Sequence, residues 1–265
     1  MNNTFENIFQ AAAVGTAQDV KSFIDNGADV NATDEDGQTP LHLAALESDD
    51  LEVLKYLVSQ GADVNAKDHY SATPLHRAAY ANPNLEVLKF LVSQGADVHA
   101  TDSKGDTPLF ETIRGCCHST VEALEYMVFQ GAKVNVKNQW GGTPLHLALK
   151  SNSPLEILKY LVSQGADVRA ENEYGWTPLH RAAMTNPDVE AMKYLVSQGA
   201  EINAKDNQGN TPLHNAAERN DSLEVLKTLI ALGANVQAKN YWGKTPSDVA
   251  NTEEKKRILQ DSRVL

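Results

Sequence analysis

The stretch LEVLKYLVSQGADVNAKD, residues 51–68, decides the fold because the chain repeats it. Close copies occupy residues 85–102, 155–172, 189–206 and 223–240. Its apolar residues are three or four positions apart, as on one face of a helix: Leu51, Leu54, Leu57 and Val58. Asp50 is suited to the N-cap of this helix, and Gly61 ends it in a left-handed conformation.

A second motif, Thr-Pro, precedes each copy at regular intervals. It begins at Thr39, Thr73, Thr107, Thr143, Thr177, Thr211 and Thr245, in steps of 34 residues with one step of 36. Thr is a good N-cap and Pro fits the first helical position, so a short helix is predicted to begin at Pro40. DEDG, residues 34–37, has the Asp and Gly of a type I turn. Each repeat is therefore predicted to contain two helices and an extended finger with a tight turn.

The combination of DGQTPLHLAA with LEVLKYLVSQGADVNAKD resembles the ankyrin repeat, and the resemblance covers residues 4 to about 260. The tetratricopeptide repeat has the same length, but its Trp and Tyr pattern is absent. The resemblance implies an all-α fold, an ankyrin-repeat solenoid of stacked helix pairs with β-hairpin-like fingers. Eight repeats are expected, of which the first and the last are caps.

The predicted boundaries follow the Thr-Pro spacing. Residues 1–36 form an N-terminal capping repeat, and residues 243–265 form a C-terminal capping half-repeat. Six internal repeats fill residues 37–242, at 37–70, 71–104, 105–140, 141–174, 175–208 and 209–242. The caps are expected to differ in sequence because each has only one neighbour against which to bury its apolar face.

Composition limits the classes of partner. The net charge is −12, from 23 Lys and Arg against 35 Asp and Glu, so nucleic acid and anionic membranes are not expected partners. Two cysteines argue against a disulfide scaffold, and no signal peptide or membrane span is visible. We expect a cytoplasmic protein without a cofactor that binds another protein with a basic or mixed-charge surface.

Histidine and cysteine are the residues most suggestive of chemistry. Five histidines occupy the same place in Thr-Pro-Leu-His, one to a repeat, so they cannot share a metal ion: His42, His76, His146, His180 and His214. The resemblance implies that they hydrogen-bond the preceding Thr and nearby backbone. Cys116, Cys117 and His118 lie in the longest loop between helices. They leave open a thiol switch or an enzyme, but a structural metal site needs about four ligands and no second cluster exists. We expect no catalytic and no metal site.

Aromatic residues concentrate in the fingers. Aligned finger tips are predicted to form an exposed row along one edge of the stack, and Trp, Tyr and Arg dominate binding hot spots. Residues on the first helices are expected to line a groove beside them. The predicted protein-binding residues are Tyr70, Arg77, Tyr80, Trp140, Tyr174, Trp176, Arg181, Met184, Tyr241 and Trp242.

The sequence therefore predicts a monomeric, non-catalytic protein-binding module that acts as a scaffold, an inhibitor or an immunity-type binder. A secreted, host-directed effector of the same binding type is the alternative. A second, less favoured alternative is a thiol-based switch or enzyme at Cys116–Cys117–His118. It predicts that these thiols are alkylated near neutral pH.

Overall fold

The computed structural model describes residues 5–82, 84–115 and 121–261, and throughout them the fold is all-α, as predicted. The chain forms two compact units, Met1–Lys133 and Val134–Leu265. Each unit is a short solenoid of helix pairs. A membrane span needs a long apolar helix, and none of the helices in these described ranges qualifies.

The first unit contains eight of the described helices, in four pairs. They are α1 Ile8–Val14, α2 Ala17–Asp25, α3 Pro40–Glu47, α4 Leu51–Ser59, α5 Pro74–Ala81, α6 Leu85–Ser93, α7 Pro108–Arg114 and α8 Val121–Phe129. The first helices of successive pairs pack on one another, α1 on α3, α3 on α5 and α5 on α7. The second helices stack in the same order from α2 to α6.

The second unit repeats this arrangement with the other eight described helices. They are α9 Pro144–Lys150, α10 Leu155–Ser163, α11 Pro178–Thr185, α12 Val189–Ser197, α13 Pro212–Arg219, α14 Leu223–Ala231, α15 Pro246–Val249 and α16 Glu253–Asp261. α9, α11, α13 and α15 stack as first helices, and α10, α12, α14 and α16 stack as second helices. The repeat boundaries given above stay a prediction, although every Thr-Pro motif begins a helix.

The helices are only four to nine residues long, so packing has to stabilise them. Leu41, Ala44 and Ala45 in α3 are completely buried, and equivalent residues are buried in the other repeats. Small Ala side chains let the first helices approach closely. Each buried Leu contributes about 2 kcal/mol. Caps add to this: the Asp50 carboxylate accepts the Glu52 N–H at 2.9 Å, where the sequence predicted the N-cap.

The Thr-Pro-Leu-His histidines link neighbouring repeats. In His42, Nδ1 lies 3.1 Å from the Thr39 backbone nitrogen and 2.9 Å from Thr39 Oγ1, while Nε2 lies 3.0 Å from the Ala72 carbonyl oxygen, thirty residues further on. A carbonyl only accepts hydrogen bonds, so Nε2 carries the hydrogen and Nδ1 accepts from Thr39. His76, His146, His180 and His214 repeat the pattern.

The fingers differ from the β-hairpin-like form expected from the resemblance. None of the described residues forms a β-strand, and each finger is a tight turn. Within each unit, neighbouring fingers share a single backbone hydrogen bond at the tip, such as Ser103 N–H to the Tyr70 carbonyl at 2.7 Å. One bond between neighbours is too little for a β-ladder, so the fingers remain linked turns.

The last helix, α16, is fastened by a buried lysine. Lys255 is 1% exposed, and its Nζ donates to the Ala217 carbonyl at 3.2 Å and to Asn251 Oδ1 at 2.7 Å. Ala217 lies in α13, so Lys255 ties α16 to the preceding repeat. Burial lowers the pKa of Lys255 because it disfavours the ammonium form.

Candidate functional site

The finger turns hold the predicted aromatic tips in place. Asp68 Oδ1 accepts the backbone N–H of Tyr70 at 2.8 Å and of Ala72 at 2.9 Å. Asn172 Oδ1 does the same for Tyr174 at 2.9 Å and for Trp176 at 3.0 Å. These bonds fix the backbone around the tip. The aromatic ring therefore stands on a rigid support that loses little entropy on binding.

The structure exposes most of the predicted aromatic tips. More than 40% of each side chain's surface is open at Tyr70, Trp140, Tyr174, Tyr241 and Trp242. Within the second unit, Tyr174 accepts from the Asn207 N–H at 3.0 Å through its carbonyl oxygen, and Trp140 accepts from the Glu173 N–H at 3.1 Å. These links keep successive tips at the spacing of the repeats.

Trp176 lies deeper than the other aromatic residues of the fingers. Its Nε1–H donates to Asp206 Oδ2 at 3.1 Å, and the ring is half-buried. The Tyr174 ring lies 4.9 Å away between centroids, tilted by 31°, and the Arg181 guanidinium lies 5.0 Å from the Trp176 ring. Tyr174, Trp176 and Arg181 therefore form one cluster, which we call the Trp176 site.

The corresponding place in the first unit is a cavity of about 350 Å³. Its walls include Tyr70, Arg77, Tyr80, Asp102, Glu111 and Arg114. The structure thus brings together the predicted residues Tyr70, Arg77 and Tyr80, of which both tyrosines are exposed. We call this place the Tyr70 site.

Ion pairs fill the base of the Tyr70 site. Arg77 pairs with Asp68, whose carboxylate is completely buried. Arg114 pairs with both Asp106 and Glu111. Burial raises the pKa of Glu111, because it disfavours the carboxylate, and the positive charge of Arg114 opposes the rise.

Sequence reasoning missed this carboxylate cluster. The carboxylate oxygens of Asp102, Asp106 and Glu111 lie within 4.8 Å of one another, a grouping that a cation suits. Arg114 supplies that positive charge through its two ion pairs. The signal was present in the repeat alignment, where Glu111 replaces the Arg found at Arg77 and Arg114 replaces the Tyr found at Tyr80.

Met184 is placed differently from its expected exposed position in the groove. It is buried, with 7% of its surface exposed, and Arg219 Nη1 lies 3.7 Å from its sulfur. A role for Met184 in protein binding stays a prediction, but its side chain presents little surface. Cys116, Cys117 and His118, the alternative thiol site, lie outside the described residues.

The two units differ in charge as well as in side chains. Residues 1–133 contain 8 Lys and Arg against 20 Asp and Glu, a net charge of −12. Residues 134–265 contain 15 of each, a net charge of zero. The second unit also contains all three tryptophans. The first unit is therefore strongly acidic. The second unit has no net charge and contains the tryptophans.

Comparison with known proteins identifies the repeats. A family model described as ankyrin repeats (3 copies) matches the chain in overlapping segments, at residues 8–102, 75–172, 113–206, 155–240 and 182–255. Together these matches cover residues 8–255, nearly the whole chain. A search of curated proteins finds no match to the chain.

Proposed function

The chain belongs to the ankyrin-repeat family, and from that premise we propose that it is a non-catalytic module that binds a partner protein. Ankyrin repeats generally mediate protein–protein interaction. The proposed surface consists of the finger tips and the first-helix residues beside them, including Arg77 and Tyr80 in the first unit and Arg181 in the second. The finer roles proposed are those of a monomeric, cytoplasmic scaffold, inhibitor or immunity-type binder, with a host-directed effector as the alternative.

The observation that carries the proposal is the set of exposed aromatic residues on rigid turns. Large apolar rings normally avoid water, and five of them are open at Tyr70, Trp140, Tyr174, Tyr241 and Trp242. Four of the rings belong to the second unit, and a partner that covers about 800 Å² of that unit would bury several of them at once. Their backbone is already fixed by hydrogen bonds to Asp68, Asn172 and their counterparts. Binding would therefore cost little ordering entropy.

The experiment compares wild-type protein with two matched variants. In the first, three tips are removed by Trp140→Ala, Tyr174→Ala and Trp242→Ala. The second, Phe129→Ala, removes an aromatic ring that is 84% exposed at the end of α8, outside the fingers. The partner is captured by crosslinking in source-cell lysate, identified, purified and titrated against each protein by calorimetry.

We expect the triple variant to bind at least about thirtyfold more weakly, since one true anchor contributes about 2 kcal/mol. Phe129→Ala should bind like the wild type. Equal binding by the triple variant would show that the aromatic tips are not the contact surface. Chemical conversion of the partner or of a small substrate on incubation would contradict the non-catalytic role.

A further inference from the structure

Arg77 and Arg181 occupy the same position in two repeats but have different surroundings. Each is the residue after the histidine of Thr-Pro-Leu-His, at the start of α5 and of α11. Nine residues before Arg77 is Asp68, with which it forms an ion pair. Nine residues before Arg181 is Asn172, an amide without charge. Arg181 has therefore lost the internal acid that its counterpart has.

No other carboxylate replaces it. Within residues 5–82, 84–115 and 121–261, Arg181 forms no ion pair. The Nε atoms of Arg77 and Arg181 are both buried without a hydrogen-bond partner, so the difference between the two residues is the ion pair that Arg77 Nη2 makes with Asp68. The nearby Asp206 is already engaged, by the Gln208 and Asn210 N–H groups on Oδ1 and by Trp176 Nε1 on Oδ2. Glu218 pairs with Arg219 at 3.1 Å.

The positive charge of the Arg181 guanidinium is consequently disfavoured by its surroundings. Burial lowers the pKa of Arg181, and the positive charge of Arg219 lowers it further. A half-buried charge without a counter-ion is costly to the fold, and an incoming carboxylate would relieve that cost. The Trp176 ring lies 5.0 Å from the guanidinium and supplies a cation–π contact, but no charge that balances Arg181.

We propose that the Trp176 site binds an Asp or Glu side chain of the partner protein. Arg181 pairs with the carboxylate, whose bidentate geometry matches the guanidinium, while Trp176 and Tyr174 contact the apolar part of that side chain. This inference rests on the proposed function and specifies the chemistry of one contact. The zero net charge of residues 134–265 permits an acidic segment there, whereas the charge of −12 in residues 1–133 would repel it.

The experiment selects binding peptides from a random linear library on the full-length wild-type protein. Selected sequences are resynthesised with amidated C termini, so that a side chain is the only source of carboxylate. Each peptide is titrated against wild type, Arg181→Gln and Asn172→Asp, which supplies the missing acid internally. The control is Lys193→Gln, which removes an exposed positive charge on the second helix α12, outside the proposed surface. Thermal melting checks that every variant is folded.

We expect an Asp or Glu at one position of the selected peptides. Its replacement by Asn or Gln should weaken binding about tenfold to a hundredfold on wild type and on Lys193→Gln. The same replacement should have no effect on Arg181→Gln, and Asn172→Asp should also bind weakly although it is well folded. Peptides without an essential acid, or an acid equally important on Arg181→Gln, would overturn the inference.

A failure of this inference is distinct from a failure of the proposed function. Peptides insensitive to Arg181→Gln but lost on the triple aromatic variant would overturn the acidic contact and support the aromatic surface. A library that yields no peptide sensitive to either variant would count against both.

Discussion

The Tyr70 site and the Trp176 site occupy the same positions of two repeats, but their arginines differ in pairing with acidic side chains. Both have a tyrosine at the finger tip and an arginine at the start of the first helix. At the Tyr70 site the arginine is paired with Asp68, and Arg114 balances two further carboxylates. At the Trp176 site a ring replaces the small Ala72, an amide replaces Asp68, and Arg181 lacks a counter-ion among the described residues.

The difference shows which positions the repeat leaves variable. Stability comes from the buried Leu, Ala and His positions, which are alike in both repeats. The charged residues at the two sites differ, and both repeats nevertheless form the same pair of helices. Two sites built on one backbone therefore differ in what they would attract.

Removing Asp68 should give the largest effect on stability. Asp68→Ala leaves Arg77 unpaired and deletes the two turn hydrogen bonds, so we expect a loss of about 3–5 kcal/mol in the free energy of unfolding. Asn172→Ala deletes only the turn bonds and should cost about 1 kcal/mol. Urea unfolding followed by circular dichroism measures both. Equal losses in the free energy of unfolding would mean that the Asp68–Arg77 pair adds nothing to stability, and the two sites would not differ in this respect.

The histidines beside the two sites, His76 and His146, should become protonated at different pH values. Burial lowers the pKa of His146 to about 4, and Arg181 adds to the decrease. Burial also lowers the pKa of His76, but Asp102 and Asp68 raise it in part. As the pH falls below about 6.5, these histidines take up protons in the unfolded chain before they do so in the folded protein. Their contribution to the free energy of unfolding is therefore complete above about pH 6.5 and is lost as the pH falls toward 4.

For His146 the loss amounts to up to about 3 kcal/mol at pH 4. The urea midpoint measured from pH 7 to pH 4 gives the total effect, and the NMR titration of each ring assigns it. We expect His146 to titrate at lower pH than His76. The same titration midpoint for both rings would contradict a role for the local charges.

Restoring the missing acid should stabilise the second site. Asn172→Asp keeps the turn hydrogen bonds and adds a carboxylate for Arg181, with an expected gain of about 1 kcal/mol. Asn172→Asp in an Arg181→Gln background is the matched control, since it adds the same carboxylate without the arginine. No gain in thermal stability from Asn172→Asp beyond that of the control would mean that Arg181 cannot reach the finger.

The smallest expected effect concerns the turns themselves. Ser71 has a φ of 58° in the finger of Tyr70, where the finger of Tyr174 has Gly175 at 73°. Ser71→Gly should stabilise the fold by about 0.5–1 kcal/mol, because glycine adopts this conformation without strain. Gly175→Ala should do the opposite, since its Cβ would lie 2.6 Å from Asn207 Oδ1. Thermal melting distinguishes the two signs.

Much of the fold was readable from the sequence because its signals are local. Thr-Pro, the apolar spacing of LEVLKYLVSQG and the turn glycines each act within a few residues, and all of them placed helices or turns correctly. The exposure of Tyr70 and Trp242 followed from their place in the turn. The β-hairpin-like form of the fingers was wrongly expected: the described fingers contain no strand, because neighbouring fingers make too few backbone hydrogen bonds.

The details of the site were not readable, since they depend on residues about one repeat apart. Trp176 is half-buried because its ring nitrogen reaches Asp206, thirty residues further on. Met184 is buried where it lies against Arg219, 35 residues away. The absence of an acid opposite Arg181 could be noticed in the alignment as Asn172. Its meaning needed the distances between side chains.

The rate at which Lys255 is acylated reports the opening of α16. Its amine is 1% exposed and fastened to Ala217 and Asn251, so a reagent that acylates amines can reach it only when α16 detaches. Other lysines lie on the surface and would react at once. The delay at Lys255 therefore reports how often α16 detaches, without any change to the sequence.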